Sequence, residues 1–331
     1  MNLPQRIASL SLDLDNQWSY LKVHGDTRWT QFPSYLDLLV PRVLDFLAKQ
    51  NLKITFFIVG QDAALEKNHA ALRTIAAAGH EIANHSFSHE PWFHLYDPER
   101  VESEIALAED YIIKATGQHP KGYRGPGFSL TETTLRVLER RSYLYDASTF
   151  PTFIGPLARF YYLLHSNLQG NDRKDRSLLF GALSDGLLPL RPYRWRNRKG
   201  LLEIPVTTMP VFRTPIHLSY LLYLSGFSCT LAQTYFRSAL RLCGAVGVSP
   251  SILIHPLDFL GADDRIGLEF FPGMQLTKRK KINLLEQTIH FLADLFQVVS
   301  LLEHSRTLIG ESCQLCSAPT PRRCPSLKSA I

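Results

Sequence analysis

Two carboxylates stand two apart at Asp13 and Asp15, and two histidines stand four apart at His85 and His89. Arg124, Asp146 and the run His255-Pro256-Leu257-Asp258 follow later in the chain. Nitrogen donors from His85 and His89 with an oxygen donor from Asp15 suit Zn²⁺, and Co²⁺, Ni²⁺ or Mn²⁺ would be tolerated. An ion of this kind brings the pKa of a water it binds close to 7, which is hydrolytic chemistry at neutral pH. Asp13 shares a strand face with Asp15, because side chains alternate with period two, so it can accept the proton of that water. Arg124 can pair with Asp13 and hold it ionised. His255, from the opposite side, can protonate a leaving nitrogen, with Asp146 or Asp258 keeping the imidazole charged and oriented. Singly, each piece has a plainer structural explanation as a turn, a cap, a solvated loop or a satisfied core histidine. Their joint order and position make the case.

That position is the end of a strand in every instance. Ile7 to Asp13 reads as a strand, as do Lys53 to Val59, His80 to Asn84, Gly122 to Arg124, Tyr143 to Asp146, Leu201 to Val206, Ser251 to Ile254 and Gln297 to Leu302. Helical periods fall between them, at Tyr35 to Gln50, Ala63 to Ala78, Pro98 to Thr116, Leu130 to Arg141, Thr230 to Gly244 and Lys278 to Phe296. Thr131 is placed to cap its helix and Pro98 suits a first turn. Alternating strands and helices imply a parallel sheet. Chemistry at successive strand ends favours an α/β barrel, whose strands open onto one face.

The chain has 331 residues, of which 45% are hydrophobic and 20% charged. That composition is globular, and the length suffices for a full core without disulfides. Residues 1–310 are expected to form one barrel domain, interrupted by an insertion at 150–200, with a disordered tail at 311–331. Five cysteines form no even framework, which points to a reducing compartment. No leader-like segment or long apolar run is read, so a cytoplasmic protein is expected. The insertion opens with Phe150, Phe153, Ile154, Leu157, Phe160, Tyr161, Tyr162, Leu163 and Leu164 and closes on Arg191, Arg194, Arg196, Arg198 and Lys199. An apolar run followed by cations would suit peripheral contact with the inner membrane face. Lys278 to Lys281 is read as a solvated helix start or an anion-binding rim. A net charge of +6 with no nucleic-acid motif argues against a nucleic-acid partner. Oligomeric state is left open. Cys313-x-x-Cys316 with His304 and Cys324 is too irregular to read as a second metal site.

The motifs in order resemble those of the polysaccharide deacetylase family, carbohydrate esterase family 4, with its NodB-homology domain. Gly79-His-Glu-Ile-Ala-Asn-His-Ser-Phe-Ser-His89 is similar to the family's histidine motif. Ser11-Leu-Asp-Leu-Asp-Asn16 stands where the family carries adjacent aspartates, a D-x-D form similar to a subgroup of peptidoglycan deacetylase-like and cyclic-amidase-like proteins. Tyr123-Arg-Gly-Pro-Gly-Phe-Ser129 resembles the arginine motif, with Gly127 where an aromatic is usual, and Asp146 and His255 stand for the last two motifs. The resemblance implies a distorted (β/α)7 TIM-like barrel. It implies Asp13 as base, Asp15, His85 and His89 as ligands of one divalent ion, and Arg124, Asp146 and His255 as further catalytic residues. Trp18, Tyr20, Trp29, Trp92 and Phe93 lie beside the motifs and are read either as core edges or as rings that stack on sugars, with Trp18, Tyr123, Gly127 and Asp258 named for substrate binding and Asn16 and His24 placed at the mouth. The implied substrate is an N-acylated amino sugar in a saccharide or a lipid-linked glycan. Two alternatives are a hydrolase of another carbon–nitrogen bond, in a cyclic imide or a formamide, and a non-catalytic saccharide-binding protein on the same fold.

Overall fold

A computed structural model describes residues 6–155, 183–196, 200–310 and 316–318. Its strands are β1 (Ile7–Asp13), β2 (Thr55–Ile58), β3 (Glu81–Asn84), β4 (Gly122–Tyr123), β5 (Tyr145–Asp146), β6 (Tyr193–Trp195), β7 (Leu202–Glu203), β8 (Ser251–Ile254), β9 (Gln297–Val299) and β10 (Cys316–Ala318). They form one sheet in the order β10-β6-β7-β5-β4-β3-β2-β1-β8, with β9 also paired to β1. Every pairing is parallel except β6 with β7. The sheet curls into an incomplete barrel, surrounded by helices α1 (Gln17–His24), α2 (Leu36–Lys49), α3 (Gly60–Ala64), α4 (His69–Ala77), α5 (Pro98–Thr116), α6 (Glu132–Arg140), α7 (Leu218–Ser225), α8 (Cys229–Val246), α9 (Lys278–Leu295) and α10 (Leu301–Gly310).

Alternation along β1 sorts its two faces. Ala8, Leu10 and Leu12 join the large apolar cluster under the helices, together with Phe56, Ile58 and Ile82. Ser9 and Ser11 face into the curl, where their hydroxyls meet His304 and Arg124. Register then sets the site. Leu12 pairs with Ile254 and Asp13 with Phe57, so Asp13 and His255 leave neighbouring strands at one level. Asn84 pairs with Tyr123, and Tyr123 with Asp146, which brings His85 and Arg124 out at the same end.

Several expected elements are revised. The helix expected over Ala63–Ala78 is split into α3 and α4, because the Asn68 side chain bonds the Asp62 carbonyl and carboxylate and turns the chain between them. The closing strand ends at Val299, and α10 starts at Leu301 with its first amide on Thr55 Oγ1. Lys281 is buried, with Nζ on the Leu257 carbonyl at 2.8 Å, so it is neither solvated nor part of a cationic rim. Arg198, Lys199, Leu157, the aromatic run Phe160 to Leu164, Cys313 and Cys324 lie outside the described residues. Among the described residues, no helix is long and apolar enough to cross a membrane.

Candidate metal centre and active site

Asp15, His85 and His89 offer donor atoms that all lie within 4.8 Å of one another. Asp15 Oδ1 is 2.9 Å from His89 Nε2 and 3.5 Å from His85 Nε2. That oxygen is buried, yet among the described residues no hydrogen bond of acceptable geometry reaches it. Lone pairs that converge out of water without shared protons are what a cation would satisfy. His85 Nδ1 sits 2.7 Å from the Arg124 carbonyl, which can only accept. The proton is thereby placed on Nδ1, and Nε2 is left as a ligand. Burial works against ionisation of Asp15, but the facing His89 and His85 outweigh it and hold the carboxyl well below the usual range. These three residues form a cluster capable of coordinating a divalent metal.

The loop carrying both histidines is conformationally costly. Ser86 and His89 both adopt left-handed φ, at 62° and 52°, which L-residues rarely do. Clamps on two sides hold it there. The Glu104 carboxylate on α5 accepts from the amides of Phe87 (3.1 Å) and Ser88 (2.8 Å) and from the Ser88 hydroxyl. From the other side, the first amides of α3 reach the carbonyls of Ser86 (2.8 Å) and Phe87 (2.9 Å). Gly60 has to be glycine at this contact, since a Cβ would lie 2.6 Å from the Ala108 backbone and 2.8 Å from the Phe87 ring.

Asp13 is fixed by a fully buried arginine. Arg124 Nη1 donates to Asp13 Oδ1 at 2.6 Å and to Ser11 Oγ at 2.9 Å, and its Nε donates to the Ala147 carbonyl at 3.0 Å. The guanidinium lies 4.2 Å over the Phe57 ring. The other Asp13 oxygen is 4.0 Å from His85 Nε2, so Asp13 borders the ligand cluster without being saturated by it.

Across the same mouth, His255 Nδ1 is 3.2 Å from Ser219 Oγ. That hydroxyl donates to Asp258 Oδ1 at 3.0 Å, and Asp258 Oδ2 accepts the His255 amide at 2.7 Å. Burial raises the Asp258 carboxyl, against the pull of His255. Burial raises the Tyr20 hydroxyl, and the charges of Asp15, Asp258 and Asp13 add to that.

The polysaccharide deacetylase family model matches residues 31–145, which carry His85, His89 and Arg124. Over that segment the chain is similar to the polysaccharide deacetylase family. A peptidoglycan deacetylase-like protein of Gibberella zeae is 34% identical over 126 residues, covering 38% of this chain and 35% of its own. A peptidoglycan-N-acetylglucosamine deacetylase of Bacillus cereus is 31% identical over 104 residues, covering 31% of this chain and 37% of its own. The chain thus spans about a third of the length of these relatives. A crystal structure from Mycobacterium smegmatis, assigned to the polysaccharide deacetylases, superposes with a TM-score of 0.61 over 99% of this chain and 98% of that one, at 19% identity. It shares the fold. The matched segment supplies His85 and His89, two of the three residues of the metal-capable cluster.

Some expected deacetylase residues sit elsewhere. Trp18 is not on the groove: it is buried in α1, and its Nε1 donates to Asp62 at 2.9 Å. Tyr123 is likewise buried, packed with Leu135 and Tyr193. Asp146 is not the partner of His255. Its Oδ1 takes the Ser148 hydroxyl at 2.6 Å, and Ser148 Oγ accepts the Gly125 amide, so Asp146 braces the arginine loop. Asp258 holds the imidazole instead. Gly127 is exposed at φ +59, where a Cβ would meet Pro91 at 2.9 Å. Asn16 is buried as the cap of α1, and His24 stacks on Phe270. Glu104, Asp62 and Ser219 were not foreseen. Asp62 is buried beside His89 and Asp15, and burial lifts its carboxyl to about 6.

Proposed function

We propose that this chain is a zinc-type metal-dependent amide hydrolase that removes an N-acyl group, most simply acetyl, from an amino sugar. One juxtaposition carries the reading: a three-donor cluster bordered by a carboxylate locked to a buried arginine, with an imidazole at the matching level of the neighbouring strand. Relatives named as peptidoglycan and chitooligosaccharide deacetylases support an amino-sugar substrate. A saccharide on a lipid carrier, met at the inner membrane face, is a further form of this substrate in the reading.

Asp15, His85 and His89 would hold the ion. When bound, it supplies Lewis acidity toward water and the acyl oxygen. The remaining steps belong to the chain. Asp13 takes a proton from the attacking water, and Arg124 keeps Asp13 aimed through its 2.6 Å contact. His255 gives a proton to the sugar nitrogen as the carbon–nitrogen bond breaks, so the amine leaves neutral. Asp258, directly on the His255 amide and through Ser219 on its ring, fixes that imidazole. The test is acetate release from N-acetylglucosamine oligomers by zinc- or cobalt-supplemented protein. Formate release from N-formyl sugars or opening of a cyclic imide, with no acetate released, would replace this substrate assignment.

A further inference from the structure

Large apolar side chains are exposed unevenly over this molecule. Six are more than half exposed, from Leu231 at 51% through Tyr223, Phe212 and Phe227 to Leu187 and Val211 at 76%. No other large apolar side chain among the described residues passes 46%. All six fall within residues 187–231, on segments that touch. Arg213 Nη1 donates to the Leu188 carbonyl at 2.7 Å. The Tyr235 hydroxyl on α8 meets Thr214 Oγ1 at 2.6 Å and the Pro215 carbonyl at 2.8 Å. On α7, Leu218, Leu221 and Leu222 are the face buried in the core, so its packing does not call for the exposed rings. Connected apolar side chains left in water mark a place where something binds.

Val211 and Phe212 sit at the tip of a tight finger. Thr208 and Pro215 bridge antiparallel at its base, and the Met209 amide reaches the Thr214 carbonyl at 2.8 Å. The Arg213 amide returns to the Met209 carbonyl, also at 2.8 Å. From outside the finger, Thr152 Oγ1 donates to the Arg213 carbonyl at 2.8 Å, and Thr208 Oγ1 donates to the Pro151 carbonyl at 2.8 Å. Within this frame Val211 has φ 71° and Arg213 φ 55°. A β-branched residue with left-handed φ is an outlier, and glycine or asparagine would take that place at less cost. Neither local conformation nor packing favours an exposed valine here, and such strain collects where a partner binds. The finger runs directly into α7, and His217 at the start of that helix lies 6.2 Å from His255, ring to ring. The apolar surface therefore adjoins the mouth of the site.

Charge tells what kind of partner fits. Residues 186–257 carry eight lysines and arginines and one acid, Glu203, which is buried. The whole chain has a net charge of +6, so the rest of it is close to neutral. Arg191, Arg196, Arg237 and Arg241 are exposed. Apolar side chains on a cationic stretch without exposed acids are the composition of a peripheral membrane contact. The apolar groups enter the boundary of the acyl chains while the cations meet anionic headgroups. A second copy of this chain fits poorly, because a two-fold contact would set like charges against each other. We propose that the Val211–Phe212 finger, flanked by Leu187, Tyr223, Phe227 and Leu231, docks this chain on an anionic lipid bilayer. The proposal does not depend on the amino-sugar reading. It adds a lipid surface at the mouth, where a substrate on a lipid carrier would be met.

The experiment is co-sedimentation of the full chain with vesicles of phosphatidylcholine alone or mixed with phosphatidylglycerol. Wild type should bind the mixed vesicles, more weakly as salt is raised, and should bind neutral vesicles poorly. Val211→Ser/Phe212→Ser, at exposed positions, should lower the partition by about tenfold or more with an unchanged circular dichroism spectrum. Val211→Gly suits the left-handed φ, so it should raise the urea midpoint while weakening vesicle binding. A Phe212→Trp variant should be quenched by lipids brominated in the acyl chain, which reports insertion. Absence of binding to the mixed vesicles would overturn the proposal, as would equal binding by the serine variant or equal binding to neutral vesicles. Binding without quenching of Phe212→Trp would overturn the role of the finger. A wild-type dimer in light scattering that the serine variant breaks, with no vesicle binding, would assign the surface to a second copy instead. No substrate enters these measurements, so their failure leaves the hydrolase reading standing, and absence of acetate release leaves the membrane contact standing.

Discussion

The two ends of the curled sheet treat their carboxylates in opposite ways. At the start of β3, Glu81 Oε1 accepts the Tyr145 hydroxyl at 2.6 Å, and Oε2 accepts Thr55 Oγ1 at 2.5 Å and the Leu302 amide at 2.8 Å. Both oxygens have protein partners, and they tie α10 across the bottom of the sheet. At the far end of β3, beyond His85, Asp15 Oδ1, His89 Nδ1 and Arg124 Nη2 are buried with no hydrogen-bond partner among the described residues. A buried polar atom left unpaired costs about 1–3 kcal/mol. Ser251 Oγ and His304 Nε2, near the Glu81 end, are unpaired as well, so the contrast lies in the carboxylates: Glu81 is fully partnered by the protein, whereas Asp15 is left for a partner from outside. One end is built for the fold and the other for a ligand.

That contrast can be broken by exchanging damage between the ends. Asp13→Asn keeps a neutral hydrogen-bonding group on Arg124 but removes the base. Activity should fall about 10²- to 10⁴-fold with metal content retained, by steady-state kinetics and elemental analysis. Unchanged kinetics would take Asp13 out of the reaction. Arg124→Ala leaves the Asp13 charge buried without its partner, and urea denaturation should show a loss of about 3–5 kcal/mol. Glu81→Ala, at the saturated end, should cost about 1–3 kcal/mol for the groups it strands, with metal content equal to wild type. Metal loss in that variant at unaltered stability would erase the distinction between the ends.

The unsaturated end was largely legible in the sequence, because ligand and base residues recur in fixed types at strand ends. Asp13, Asp15, His85, His89, Arg124 and His255 needed only alternation and element boundaries to be brought together. What supports them was not legible. Glu104 lies on a regular amphipathic helix, and nothing in its spacing says that its carboxylate clamps the amides of Phe87 and Ser88. The first helix shows no readable period, because Trp18, Ser19, Tyr20 and Leu21 are buried consecutively, which leaves no polar stripe to count. Trp18 and Tyr123 were assigned to the groove by residue type, but only packing decides which face of a ring meets solvent. Asp146 and Asp258 were both open as partners of His255. The short turn at Pro256–Asp258 settles that in favour of Asp258, because it returns the carboxylate onto the His255 amide.

A smaller effect separates the ends by pH. His80 and His304 lie away from the ligand cluster, and burial depresses each to about 4, with Lys53 adding to the effect at His80. The unfolded chain binds these protons near pH 6.5, whereas the folded chain resists until about 4. Their contribution is therefore complete above 6.5 and is lost as pH falls from 6.5 toward 4. Urea midpoints across that window should decline, and His304→Gln should flatten the slope by about one proton. An identical slope in the variant would mean that His304 is not buried neutral.

The most direct test of the central claim is metal content by elemental analysis, in wild type and in the His85→Ala/His89→Ala double variant, with acetate release followed on the same samples. The account predicts about one zinc-type ion per chain in wild type, lost in the variant together with activity, while the Glu81 end keeps the chain folded. A wild type that takes up no ion after zinc or cobalt is added would contradict it, as would a double variant that keeps both ion and activity.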